Sequence, residues 1–130
     1  PVLGYEILRH VPLLAQPGGI ADMVLYHHER YDGSGYPFGL RREEIPLGAR
    51  IIAVADAFSA MVDDRVYRKG LAVEQVFAEL ARCAGSQFDP EVVRVMDGQQ
   101  DAVCAQWRSA TEAVVSGAGP CAAIGRVFSS

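Results

Sequence analysis

The chain has 130 residues, carries a formal net charge of −4 and is 50% hydrophobic and 22% charged. That composition excludes a disordered or low-complexity polymer, and the acidic balance speaks against a domain built to grip a nucleic-acid polymer. No apolar run approaches the roughly 20 residues of a membrane span, and the start of the chain shows neither a basic leader nor a small-residue cleavage site, which reads as a cytoplasmic protein.

Leu3, Ile7 and Leu8 recur at helical spacing and predict a first helix over 2–8. Gln16-Pro17-Gly18-Gly19 is a break. Ile20, Met23 and Val24, with His27 on the same side, predict a second helix over 20–31. Residues 32–46 then show no helical period and carry Gly33, Gly35, Pro37, Gly39 and Pro46. A loop of that length in a compact domain is usually functional or disordered, and Tyr36, Phe38, Leu40 and Ile45 make this one too apolar for plain disorder. The clearest helix spans 47–62, where apolar residues cover most of the circumference and predict burial. Residues 71–84 are amphipathic, with Val73, Val76, Phe77 and Leu80 inward and Gly85 as the stop. Asp89-Pro90-Glu91 reads as a helix start, with Asp as cap, Pro in the first position and an acid in the first turn. That helix carries Val92, Val93, Val95 and Met96. Beyond Gly98 the pattern fades into a segment rich in Ala, Gly and Ser, with Trp107 as its large anchor. Cys83, Cys104 and Cys121 form no Cys-x-x-Cys pair and read as reduced thiols. Nothing alternates with period two for long, so the fold class is all-α.

Three features can carry chemistry. The first is His27-His28-Glu29. Adjacent helical residues point about 100° apart, so both imidazoles serve one site only in their shared quadrant or across two metals. The plainer reading is one half-buried His and one solvated His. The second is Asp56 inside Ala49-Arg50-Ile51-Ile52-Ala53-Val54-Ala55-Asp56-Ala57-Phe58. A buried carboxylate needs a metal, a cation or several donors, and on this segment a metal and a structural pair with Arg50 or Arg65 stay equally open. The third is the loop Asp32-Gly33-Ser34-Gly35-Tyr36-Pro37-Phe38-Gly39-Leu40. Pro37 disfavours the helical region for Tyr36 and presents its phenol on a stiff loop. The bland alternative is a surface loop pinned by Tyr36 and Phe38.

Together these features, with Ile45-Pro46-Leu47-Gly48, Asp64-Arg65-Val66-Tyr67-Arg68-Lys69 and Gly85-Ser86-Gln87-Phe88-Asp89-Pro90, resemble the HD-GYP family over residues 1–96. The resemblance implies a helical bundle of the HD-domain type, with 1–96 as its C-terminal portion, its N-terminal helices missing, and 97–130 as a helical extension outside the match. It implies a metal-dependent phosphodiesterase that hydrolyses cyclic di-GMP to pGpG or GMP. It makes His27, His28 and Asp56 metal-ligating and catalytic residues, and Tyr36, Gly35, Pro37, Arg65 and Arg68 the substrate-binding set. It implies two or three divalent ions, Fe or Mn first, and imidazole with carboxylate suits such metals. It also implies GGDEF-type diguanylate cyclases as partners and an upstream sensory or receiver domain, and leaves room for a homodimer. The chain departs from the family in Ser59, which stands where a second Asp is common, and in holding no His-Asp dipeptide. With no initiator Met either, the sequence is read as part of a longer protein whose upstream half supplies that pair. Two alternatives stand beside the enzyme: a non-catalytic module that binds a cyclic dinucleotide or a protein, and an HD hydrolase acting on another cyclic dinucleotide such as cyclic GMP-AMP.

Overall fold

The computed structural model describes residues 1–63 and 69–115. Six α-helices occur among them: α1 (Val2–Leu8), α2 (Ile20–Tyr26), α3 (Leu47–Val62), α4 (Val73–Arg82), α5 (Pro90–Asp97) and α6 (Gln100–Val115). A short 3-10 turn, Arg42–Glu44, interrupts the long loop before α3. Apart from one isolated bridge between Ala84 and Phe88, the described residues are helical or irregular. The chain is therefore all-α, as its periodicity predicts. It forms two compact units, Pro1–Met96 and a second that begins at Asp97.

In the first unit α1 packs on α2, α2 on α3, and α3 on α4. The centre is apolar: Ala21 and Leu25 of α2, Ala49, Val54 and Phe58 of α3, and Val76, Phe77 and Leu80 of α4 are buried, with Ile45, Phe88 and Val93. Phe58 and Phe77 meet edge to face at 5.8 Å, an arrangement that suits the quadrupoles of the two rings. Arg50 of α3 forms an ion pair with Asp89, which is only 4% exposed, and its Nε donates to the Ile45 carbonyl. Asp89 also caps α5 by accepting the Glu91 N–H at 2.8 Å, the role its place before Pro90 predicts. Arg50 is thus not the partner of Asp56.

Two helices end earlier than their sequences suggest. α4 stops at Arg82, and Gly85 makes the following turn with φ +82, a conformation glycine adopts at no steric cost. α2 stops at Tyr26, so His27 is its C-cap and residues 28–31 are not helical. The cause is tertiary: the Tyr31 and Asp32 amides donate to the Gln87 and Ser86 carbonyls at 3.1 and 2.9 Å, which draws the strand of chain away from the helix axis.

α3 keeps its expected limits but is not buried all round. Leu47, Ile51, Ala55, Asp56 and Ser59 are exposed, because the described residues place no element over that face. α1 buries none of its residues, and Val2, Leu3 and Ile7 are at least half exposed. In the second unit α6 forms although its apolar pattern is weak. Its Ala, Gln and Arg residues favour helix by intrinsic propensity, and Cys104 is buried on it.

Candidate metal and substrate site

The turn after α2 and the loop that follows it assemble the candidate site. His27 at the helix end donates from Nδ1 to the Val24 carbonyl at 2.8 Å, since a carbonyl can only accept. That bond fixes the tautomer and leaves Nε2 with its lone pair free. Metal-ligating histidines very commonly use the same arrangement. The His28 ring lies 4.0 Å from the His27 ring, tilted by 37°. The Tyr36 ring stacks on His28 at 5.1 Å and 18°. The result is a file of ring contacts from His27 to His28 to Tyr36, with Tyr36 55% exposed.

The loop is held from beneath. Glu29, 4% exposed, accepts the Phe38 N–H at 2.6 Å through Oε1 and the Leu40 N–H at 3.0 Å through Oε2. The Tyr36 amide donates to the His28 carbonyl at 3.3 Å. Gly35 passes so close that a Cβ there would stand 2.2 Å from the Arg30 nitrogen, which explains why no larger residue fits. Asp32 accepts the Ser34 amide and hydroxyl at 2.9 and 2.6 Å, and these bonds hold its carboxyl below the usual aspartate range. The Tyr36–Pro37 peptide is cis. In the sequence Glu29 reads as an ordinary member of the His-His-Glu run. Its burial has no local signal, because both partners lie nine and eleven residues downstream.

Asp56 is exposed rather than buried, and among the described residues it has no hydrogen-bond or ion-pair partner. It lies near enough for its charge to act on His28. His27, His28 and Asp56 supply the mixed nitrogen and oxygen donors that divalent transition metals accept. Still, no three His, Cys, Asp or Glu side chains close into a complete cage among the described residues. The donor set suits such an ion in kind, but His27, His28 and Asp56 are not gathered into a group that could hold one. Arg65 and Arg68, expected on the substrate, lie outside the described residues. A cleft of about 500 Å³ lined by Tyr31, Asp32, Arg41, Arg42, Gly85 and Pro90 contains none of the site residues.

Burial and, next, the neighbouring His27 imidazole lower the His28 pKa, and Asp56 opposes them. The sign follows directly. A depressed histidine stays neutral at mildly acidic pH, so stability is present above its ordinary value and is lost as pH falls through the lowered one. In the metal-free chain the His28 NMR titration is expected below the 6.5 of an unperturbed histidine. Asp56→Asn should lower it further, because the charge that favours imidazolium is gone. An unchanged midpoint in the variant would show that Asp56 does not face His28.

Residues 1–92 match the HD-domain family. The chain belongs to that family of helical domains. Within it, the run from His27-His28-Glu29 to Gly35-Tyr36-Pro37 is of the HD-GYP type. The chain is 49% identical over 93 residues to a cyclic di-GMP phosphodiesterase of Thermotoga maritima, covering 70% of this chain and 24% of that protein. It is 41% identical over 115 residues to the cyclic di-GMP phosphodiesterase response regulator RpfG of Xanthomonas campestris pv. campestris, covering 85% and 30%. A crystal structure of a cyclic GMP-AMP specific phosphodiesterase of Vibrio cholerae, V-cGAP3, superposes with a TM-score of 0.55 at 26% identity, over 63% of this chain and 18% of that one. The chain thus spans about a quarter to a third of the length of these curated relatives.

Proposed function

We propose that this chain is the part of a metal-dependent cyclic-dinucleotide phosphodiesterase that carries the histidine pair and the Gly-Tyr-Pro loop, and that cyclic di-GMP is the substrate. The file of His27, His28 and Tyr36, with the Asp56 charge acting on it, is the observation that supports this most. His27 and His28 through their free ring nitrogens, and Asp56 through its carboxylate, would hold part of a centre of two or three divalent ions, with Fe or Mn suited to these donors. When bound, such ions would supply a water-derived nucleophile at neutral pH and offset charge on phosphoryl oxygens. The Val24 carbonyl holds His27 in the tautomer that can ligate. The outer face of Tyr36 offers a platform for a purine, a contact worth about 1–3 kcal/mol per base. Arg65 and Arg68 would grip phosphate in the bidentate way guanidinium allows. The remaining ligands, a His-Asp pair among them, would come from residues upstream of Pro1, so that 1–96 completes an HD-GYP domain and 97–130 extends it. GGDEF-type proteins as partners belong to the same reading.

A second substrate has its own support. The chain is 41% identical over 75 residues to a 3'3'-cGAMP-specific phosphodiesterase 2 of Vibrio cholerae, and the V-cGAP3 structure it resembles is that of a cyclic GMP-AMP specific phosphodiesterase. Hydrolysis of cyclic di-GMP and 3'3'-cGAMP by the full-length protein, measured side by side, tests the choice. Higher kcat/KM for cyclic di-GMP is expected. The reverse order overturns the substrate, and no hydrolysis of either by metal-loaded protein overturns the enzyme in favour of a binding module. The 130-residue chain alone is expected to be inactive, since it would lack the ligands assigned to residues upstream of Pro1. Turnover by the metal-loaded chain would overturn that account of the ligands.

A further inference from the structure

We propose that Glu29 is the positioning residue that fastens the Gly-Tyr-Pro loop and thereby holds Tyr36 against His28. Its carboxylate is buried at the foot of the loop and takes two backbone donors on the far side of Pro37, Phe38 through one oxygen and Leu40 through the other. Hydrogen bonds from amides to a charged acceptor are roughly twice as strong as neutral ones, and two of them fix direction as well as distance. The near side is fixed separately, by the Tyr36 amide on the His28 carbonyl and by the contact of Gly35 with the Glu29 and Arg30 backbone. Tyr36 therefore sits between two anchors, and both arise from the three residues that follow His27. Its ring is left stacked on His28 while more than half exposed. An exposed aromatic side chain on an unfastened loop would lose this arrangement to conformational entropy. Only the consequence for substrate rests on the phosphodiesterase reading; the fastening itself does not.

The decisive variant is Glu29→Gln, which keeps the volume but lets one end accept while the other turns a donor toward a donor. Hydrogen exchange in the 130-residue chain should then rise at least about tenfold at Phe38 or Leu40, and the ring-current shifts between Tyr36 and His28 should shrink. The His27 bond to Val24 should persist, which keeps a general loss of fold distinguishable. In the full-length protein the KM for cyclic di-GMP should rise about tenfold, with metal content held and kcat changed less. The same substitution in a Tyr36→Ala background should raise KM no further, since the residue acts through that ring. Unchanged exchange at both amides overturns the fastening. A fall in metal content at unchanged loop exchange overturns it too, because Glu29 would then act on the ions. If the exchange and ring-current changes appear in a protein that hydrolyses no cyclic dinucleotide, the fastening stands and the phosphodiesterase reading fails.

Discussion

Asp56→Asn is expected to cut hydrolysis by the full-length protein at least about 100-fold and to lower its metal content, while folding stability stays within about 0.5 kcal/mol. The two halves come from different observations. The carboxylate is exposed and unpartnered among the described residues, so removing its charge breaks no contact among them, and substitutions of that kind are close to neutral. Had it paired with Arg50, the change would have stranded a buried cation at a cost of about 3–5 kcal/mol. Arg50 is instead committed to Asp89. Partners one step removed from a metal typically cost 10–100-fold when lost, so a direct ligand should cost at least the upper figure. Metal analysis and urea denaturation on parent and variant separate the outcomes. A variant that unfolds early yet holds its full metal complement while folded would sink the ligand role.

Asp89→Asn should cost about 3 kcal/mol of stability. The asparagine still caps α5, because its side-chain oxygen can accept the Glu91 amide as Asp89 does. The loss therefore reports the stranded Arg50 charge, at the lower end of the buried range because that side chain keeps 15% of its surface exposed. Asp89→Ala should lose about 1 kcal/mol more, the usual worth of a cap. Equal losses in the two variants would mean that the cap contributes nothing. Both losses are large beside the 5–15 kcal/mol that holds a typical domain together.

What the sequence disclosed was whatever local chemistry dictates. Pro90 after Asp89 specifies a helix start without tertiary help, and α1 and α3 keep the limits their spacing predicts. The His-His pair and the glycine-rich loop were legible as a candidate site because the residue types are unusual together. The burial of α3 was not, since an apolar circumference records which faces a helix can bury and not which of them find a partner. The end of α2 escaped for a related reason, being fixed by bonds from Tyr31 and Asp32 to chain far away in sequence, whereas α4 is closed by the local turn from Cys83 to Phe88. Arg50 and Asp89 lie 39 residues apart, and no local rule couples them. Glu29 was hidden most completely, because a charged residue in a polar run gives no sign that it will be buried.

The uncovered side of α3 and the bare α1 also leave a calorimetric signature. Leu3, Ile7, Leu47 and Ile51 are between 49% and 75% exposed in the folded chain, so water already hydrates them before unfolding begins. Unfolding then exposes less new apolar surface than the chain length implies. The heat-capacity increment of the isolated chain should fall below the usual 12–15 cal/mol/K per residue, roughly in proportion to that pre-wetted area. The temperature of maximum stability would shift and the stability curve would flatten. A segment that covered the face would steepen it again, so differential scanning calorimetry of longer and shorter versions of the protein would count, in heat capacity, how much of this surface is meant to be dry.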